Sequence, residues 1–350
     1  MKFEKITICL DIRGCPNRCK HCWLGNTPNG CLTSENLRYV ANQFRPFTGN
    51  LEVYDWYREP DYGNDYKEMW DLCAELSDEH ASHFELVSFW RLVRDEEYAK
   101  WLAGLGVKYA QLTLFGDESV TDYFVGRRGA YMEILKAIDI LLENGICPRI
   151  QMFLNEQNLG QLEFVEKLVG ELELERRCHE IDGEFSFFLH AGSCDGANEQ
   201  FYSQRVTSQM LDDIPEYLTE LTLKYLGEKD IHDVFGKPEC MLYEELINDS
   251  FVTDFVTDSP VFYIDKDFNV YPNITAPAKY WCLGNLKRDR VEDVIYNYKN
   301  NKCLAAEISA SVPINQLVRE CGSQNGMGMF TKDDYIIFIL NKYCKPLTKI

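Results

Sequence analysis

The chain has 350 residues, with 36 Lys and Arg against 56 Asp and Glu, a formal net charge of −20, and 14 cysteines. That charge repels phosphate backbones and argues against a nucleic-acid partner. No apolar run approaches the roughly 18 residues that span a bilayer, and the first apolar stretch is cut by Asp11, so the N-terminus does not read as a secretory signal. Hydrophobic residues at 45% and aromatics at 13% suffice for a large core. The length allows two domains, or one barrel-sized domain with an extension. Without an export signal the chain is expected in a reducing cytoplasm, where clustered cysteines are expected to hold metal rather than disulfides.

Strands and helices alternate along the first two thirds. Ile6, Ile8 and Leu10 alternate with Thr7, Cys9 and Asp11 as a first strand, and Thr33 and Ser34 can cap a helix carrying Leu37, Val40 and Phe44. Residues 51–55 read as the second strand, before a helix with Trp70, Cys73 and Leu76. Residues 84–89 read as the third, and 107–115 as the fourth, after a helix ending at Gly104 and Gly106. An amphipathic helix over 130–143 closes at Asn144-Gly145. Residues 149–154 and 184–190 are the fifth and sixth strands, with helices around 161–174 and 208–226. Six such units predict an α/β fold, a partial (β/α)6 TIM-type barrel over residues 1–235, with its site at the strand C-termini. From 236 to 350 the pattern changes to a smaller α+β extension. It holds a hairpin across 261–264 and 270–271, a helix with Val291, Val294 and Tyr298, and otherwise irregular chain apart from an apolar helix or strand at 335–340.

Cys15, Cys19 and Cys22 follow the first strand with the spacing Cys-x3-Cys-x2-Cys, in a loop that such a barrel holds at its mouth. Three thiolates can fix three irons of a four-iron cube and leave the fourth open. The alternative is a zinc site of the triplet with Cys31 or His21. Zinc motifs usually come as paired Cys-x2-Cys arms, which a lone triplet fits poorly.

This spacing in this place resembles the radical S-adenosylmethionine (radical SAM) superfamily. The resemblance implies an enzyme with a [4Fe–4S] cluster on Cys15, Cys19 and Cys22, and S-adenosylmethionine on the open iron. Reductive cleavage of that cofactor then yields a 5′-deoxyadenosyl radical, which takes a hydrogen atom from substrate. The family's further motifs have counterparts here. His21 stands where the family usually has an aromatic residue before the third cysteine. Tyr57-Arg58-Glu59-Pro60 resembles the segment whose carboxylate binds the cofactor's amino group; Glu59 is the expected ligand and Asp55 its rival, while Tyr57 and Arg58 replace two glycines. Thr113 is expected at the ribose or carboxylate. Arg128, in preference to Arg127, is expected to pair with the cofactor carboxylate. Gln151 and Asn155 are expected at the ribose, and the strand bearing Leu189 at the adenine. His190 reads as a hydrogen-bonded core histidine, and Cys194 as a thiol that could return a hydrogen atom to a product radical.

The segment 262–294 resembles the SPASM/twitch extension of peptide-modifying members. Asn269 and Asn273 depart from its pattern, and Cys240, Cys282, Cys303, Cys321 and Cys344 form no Cys-x2-Cys pair, so the extension is expected to lack a cluster of its own. The expected substrate is a peptide or amino acid. Against it, the cluster loop follows only 14 residues, which leaves no leader-binding domain ahead of the barrel. The alternatives are the same chemistry on a small molecule (a sugar, nucleoside or natural-product intermediate) and a non-catalytic iron–sulfur or zinc protein. Flavodoxin or ferredoxin is the expected electron donor, docking near Arg13, Arg18 and Lys20.

Overall fold

The computed structural model describes residues 2–25, 28–55, 58–79, 82–83, 85–193, 195–272 and 277–348. β1 (Phe3–Leu10) forms where β-branched and apolar residues alternate, burying Phe3, Ile6, Ile8 and Leu10. It pairs in parallel with β2 (Thr48–Tyr54), Ile8 opposite Val53. β3 (Tyr109–Thr113), β4 (Cys147–Phe153) and β5 (Ser186–His190) form a second parallel sheet. Crossover helices cover both sheets, among them Ser34–Phe44 and Ala130–Glu143. Thr33 caps the first in a reciprocal box with Asn36.

The third expected strand is reduced to one parallel bridge, Leu86 to Gln111; residue 84 lies outside the described residues. Ser88 ends it by capping the helix Phe89–Leu92, so the chain turns away before a ladder can form. The two sheets therefore make an open arc, not a closed barrel. The helix expected over 208–226 is two, Ser208–Leu211 and Glu216–Leu226, with Pro215 between them.

Beyond residue 235, β6 (Lys237–Pro238) pairs with β10 (Met329–Phe330). The hairpin is present as β7 (Val261–Ile264) and β8 (Asn269–Pro272), extended by β9 (Gly284–Asn285). β7 also pairs in parallel with β1, Leu10 opposite Ile264, so one sheet runs β2-β1-β7-β8-β9. The chain after residue 300 is helical, not irregular: Leu304–Ser311, Ile314–Cys321 and Lys332–Leu347. Ile314, Leu317, Val318 and Cys321 supply an apolar stripe at helical spacing. One core surrounds β1 and β7, a second surrounds β3 to β5. Among the described residues no helix is long and apolar enough to cross a membrane.

Candidate active site

The C-terminal ends of β1 to β5 open on a cavity of about 490 Å³, within the range of small-molecule sites. The loop after β1 forms one side of it, with Cys15, Cys19 and Cys22 all on the wall. This loop is clamped on two flanks. Arg18 N–H donates to Val125 O (3.0 Å) and Lys20 N–H to Phe124 O (2.8 Å). On the other flank Ala197 N–H donates to Cys22 O (2.8 Å). Gly126 and Gly196, both at positive φ, allow these approaches: a Cβ at either would collide with the carbonyls of Arg18 and Trp23. Asn29 holds both backbone polar groups of Cys15, accepting from its N–H (3.2 Å) and donating to its carbonyl (3.0 Å).

Glu59 faces the same cavity from the loop after β2. Its Oε2 accepts from Cys15 Sγ (3.2 Å) and Asn17 Nδ2 (3.3 Å), and its Oε1 from Ser88 Oγ. Burial, with some help from Asp61, raises its carboxyl to about 7 against these hydrogen bonds and the Arg127 charge. Behind Ser88 the network continues: Tyr98 Oη meets Ser88 N and donates to Asp61 Oδ2 (2.6 Å), which also pairs with His83 Nε2 (2.7 Å). Asp55, the rival carboxylate, lies outside this cavity beside Asp61 and His83 in a much smaller pocket; burial holds its carboxyl well above the usual range. Arg58, standing where the resembling segment has glycine, also lines the cavity and pairs with buried Asp11 (Nη2 to Oδ2, 2.8 Å). Tyr57 lies outside the described residues.

Thr113 and Gln151 are brought together. They are register partners on β3 and β4, and Gln151 Nε2 donates to Thr113 Oγ1 (2.7 Å) on the cavity wall. His21 packs at a tilt against Phe115 and Phe153 (centroids 4.7 and 4.3 Å), with a buried Nδ1 that has no partner among the described residues. Burial lowers its imidazole to about 3.

Other expected residues lie elsewhere. Arg128 is exposed and outside the cavity; Arg127 is the one turned inward, donating to Asn17 Oδ1 (2.8 Å) and Glu133 Oε2 (2.6 Å). The left-handed turn at Gly126 sets which of the two faces the loop. Asn155 is spent on its own turn, accepting from Gln157 N (2.9 Å), and lines a separate small pocket. Leu189 is fully buried in the core around β3 to β5, and it is the adjacent His190 that reaches the cavity. Among the described residues His190 Nε2 has no hydrogen-bond partner, contrary to its reading as a bonded core histidine. Cys194 lies outside the described residues. Asn17, Ser88, Ser193 and Asp195 are wall or supporting residues that sequence reading missed.

The basic cluster is largely engaged in holding the loop. Arg13 binds Asp65, and Arg18 donates to Cys15 O (3.1 Å) and Asn17 O (2.8 Å), while Lys20 lies over Tyr123 (4.5 Å). Cys31 is exposed, accepts from Arg13 Nη1 (3.1 Å) and does not line the cavity, so it is no fourth ligand here. Among the described residues no three His, Cys, Asp or Glu side chains converge on one ion position. A cube gives each thiolate its own iron, so thiols spread along one wall suit a cluster better than a tetrahedral ion.

The family model "Radical SAM superfamily" matches residues 10–168. Among solved structures the chain is similar to native anSMEcpe with bound AdoMet (13% identity, TM-score 0.52, covering 98% of this chain and 97% of that one). A second structure of that protein, with bound AdoMet and the Cp18Cys peptide, gives 14% identity, a TM-score of 0.52 and coverage of 98% and 97%. Streptococcus suis SuiB bound to S-adenosylmethionine is a looser likeness (15%, TM-score 0.49, covering 86% and 68%). No curated protein sequence matches the chain.

Proposed function

We propose that this chain is a radical SAM superfamily enzyme that cleaves S-adenosylmethionine reductively and acts on a peptide; the family model over residues 10–168 supports the reading. The superfamily's cofactors are a [4Fe–4S] cluster and S-adenosylmethionine, which together supply a 5′-deoxyadenosyl radical able to take a hydrogen atom from substrate. The observation that carries the reading is the shared cavity: Cys15, Cys19 and Cys22 on one wall, Glu59 beside them, and the Thr113–Gln151 pair on the strand ends.

In this reading the three thiolates hold the cluster, and Glu59 accepts the cofactor's ammonium. Asn17 and Ser88 orient Glu59, and Arg127 orients Asn17. Thr113 and Gln151 offer a paired donor and acceptor to the ribose. The rings of His21, Phe115 and Phe153 form an apolar wall that excludes water. Residues 1–235 act as the catalytic core and 236–350 as its cover. A peptide substrate is supported by the likeness in fold to anSMEcpe, whose structure carries a peptide. The oxygen sensitivity of an open cluster suits an anaerobic cytoplasm, with a small acidic redox protein as electron donor.

The test is anaerobic reconstitution with iron and sulfide, then dithionite and S-adenosylmethionine. Formation of 5′-deoxyadenosine is expected. Its absence from protein carrying four irons would overturn the reading.

A further inference from the structure

Among the described residues several buried acids accept from two or more donor groups, while one on the cavity wall accepts from a single donor. Asp11 is paired with Arg58 and Asp61 with His83 and Tyr98. Glu239 accepts from Tyr202 Oη and Ser323 N. Asp195 is 6% exposed and lines the cavity of the three thiols, yet among the described residues it has no cationic partner. Its Oδ1 accepts from Asn341 Nδ2. Asn341 is fixed in turn, because its Oδ1 accepts from Trp281 Nε1 (3.0 Å). Two residues from beyond position 235 thus set the direction of a carboxyl held after β5. Its Oδ2 accepts no hydrogen bond among the described residues.

On the same stretch of wall, His190 Nε2 and Ser193 Oγ are buried without partners among the described residues. Burial, reinforced by Arg205, lowers the His190 imidazole to about 4, so at neutral pH the ring is uncharged and one nitrogen can accept. Buried polar groups are rarely left unpaired, and a buried carboxylate without a cation is costly until one arrives. Burial, with Asp334 and Glu199 nearby, raises the Asp195 carboxyl to about 7 against the Asn341 hydrogen bond. An entering cation would reverse that cost.

We propose that Asp195, with His190 and Ser193 on the same cavity wall, is a substrate-recognition site for a protonated amine or guanidinium, carried on a lysine or an arginine side chain. The inference rests on the peptide reading above and names the chemistry of the substrate group. Asn341 and Trp281 are positioning residues that aim the carboxylate. One carboxylate oxygen stays with Asn341, and the other, with His190 Nε2 and Ser193 Oγ, meets the N–H donors of the cation.

The experiment uses holoenzyme reconstituted anaerobically with S-adenosylmethionine and four synthetic hexapeptides, acetylated at the amino terminus and identical except for a central lysine, arginine, norleucine or citrulline. Retention on ultrafiltration is read by mass spectrometry. The lysine and arginine peptides should be retained about tenfold or more over their neutral counterparts, the scale of a charged hydrogen bond. Asp195→Asn should abolish that preference, Asp195→Glu should keep part of it, and Asn341→Leu should reduce it. Iron content and circular dichroism report that each variant folds. Equal retention of all four peptides, retention of none, or an unchanged preference in Asp195→Asn overturns the inference. Dithionite-driven cleavage by the wild type without peptide separates the two readings. Cleavage without cation preference defeats this inference alone, and absence of cleavage defeats the radical reading itself.

Discussion

Cys15 Sγ lies 3.2 Å from Glu59 Oε2, which couples the first residue of the cysteine triplet to the carboxylate expected to meet the cofactor. The contact joins the loops after β1 and β2. If Glu59 accepts the cofactor's ammonium, Glu59→Gln should keep the iron while weakening S-adenosylmethionine binding by about 1.5–3 kcal/mol. Anaerobic equilibrium dialysis measures this. Unchanged affinity would assign the ammonium to another group.

Replacing Cys15, Cys19 and Cys22 together by Ala should take reconstituted protein from about four irons to almost none. Iron and sulfide assays with the charge-transfer absorbance read the loss. Retained iron would reveal a second cluster elsewhere in the chain.

The glycine clamps give a test that leaves every thiol in place. Gly126→Ala and Gly196→Ala each force a Cβ onto a loop carbonyl at positive φ, a conformation that costs an L-residue about 1–2 kcal/mol before any collision. Both variants should load iron poorly. Gly104→Ala, whose Cβ meets nothing within 4 Å, should load normally. Normal loading in all three would mean that the loop's path tolerates displacement.

Asp195 carries a pH signature. Its carboxyl is raised from 3.8 to about 7, first by burial and then by Asp334 and Glu199, against the Asn341 hydrogen bond. Between those values the unfolded chain has released a proton that the folded chain keeps. Its contribution is therefore fully present below about pH 4 and lost as the pH rises to 7. Asp195→Asn removes that slope. Relative to wild type the variant should gain on the order of 1–3 kcal/mol on going from pH 4.5 to pH 8, read by urea unfolding. A constant difference across that range would mean that the carboxyl titrates normally.

What local pattern carries was readable, and what depends on phase or on distant contacts was not. The cysteine triplet, Glu59 and the Thr113–Gln151 neighbours lie at strand ends or in the loops beyond them, where a parallel α/β sheet gathers its chemistry. Leu189 and His190 differ by one position on a strand, and one position reverses the face. Arg127 and Arg128 differ likewise across a glycine turn. Asn155 resembled a ligand but serves its own turn. The stripe of Ile314, Leu317, Val318 and Cys321 was legible and went unread. Asp195 and Asn341 stand 146 positions apart, and no local signal joins them.

The parallel pairing of β1 with β7 has a consequence for the order of events in the cell. β1 ends at Leu10, just before the cysteine loop, and its second edge pairs with residues 258–264. A ribosome releases the three thiols about 240 residues before that edge strand, a delay on the order of ten seconds or more at about 5–20 residues per second. Val125, the partner of Arg18, arrives midway, and Ala197, the partner of Cys22, later still. Iron delivered to the nascent chain would meet thiols not yet held in their loop. If the three thiols hold a cluster, its loading thus belongs after synthesis, on a chain whose last strands are already in the sheet.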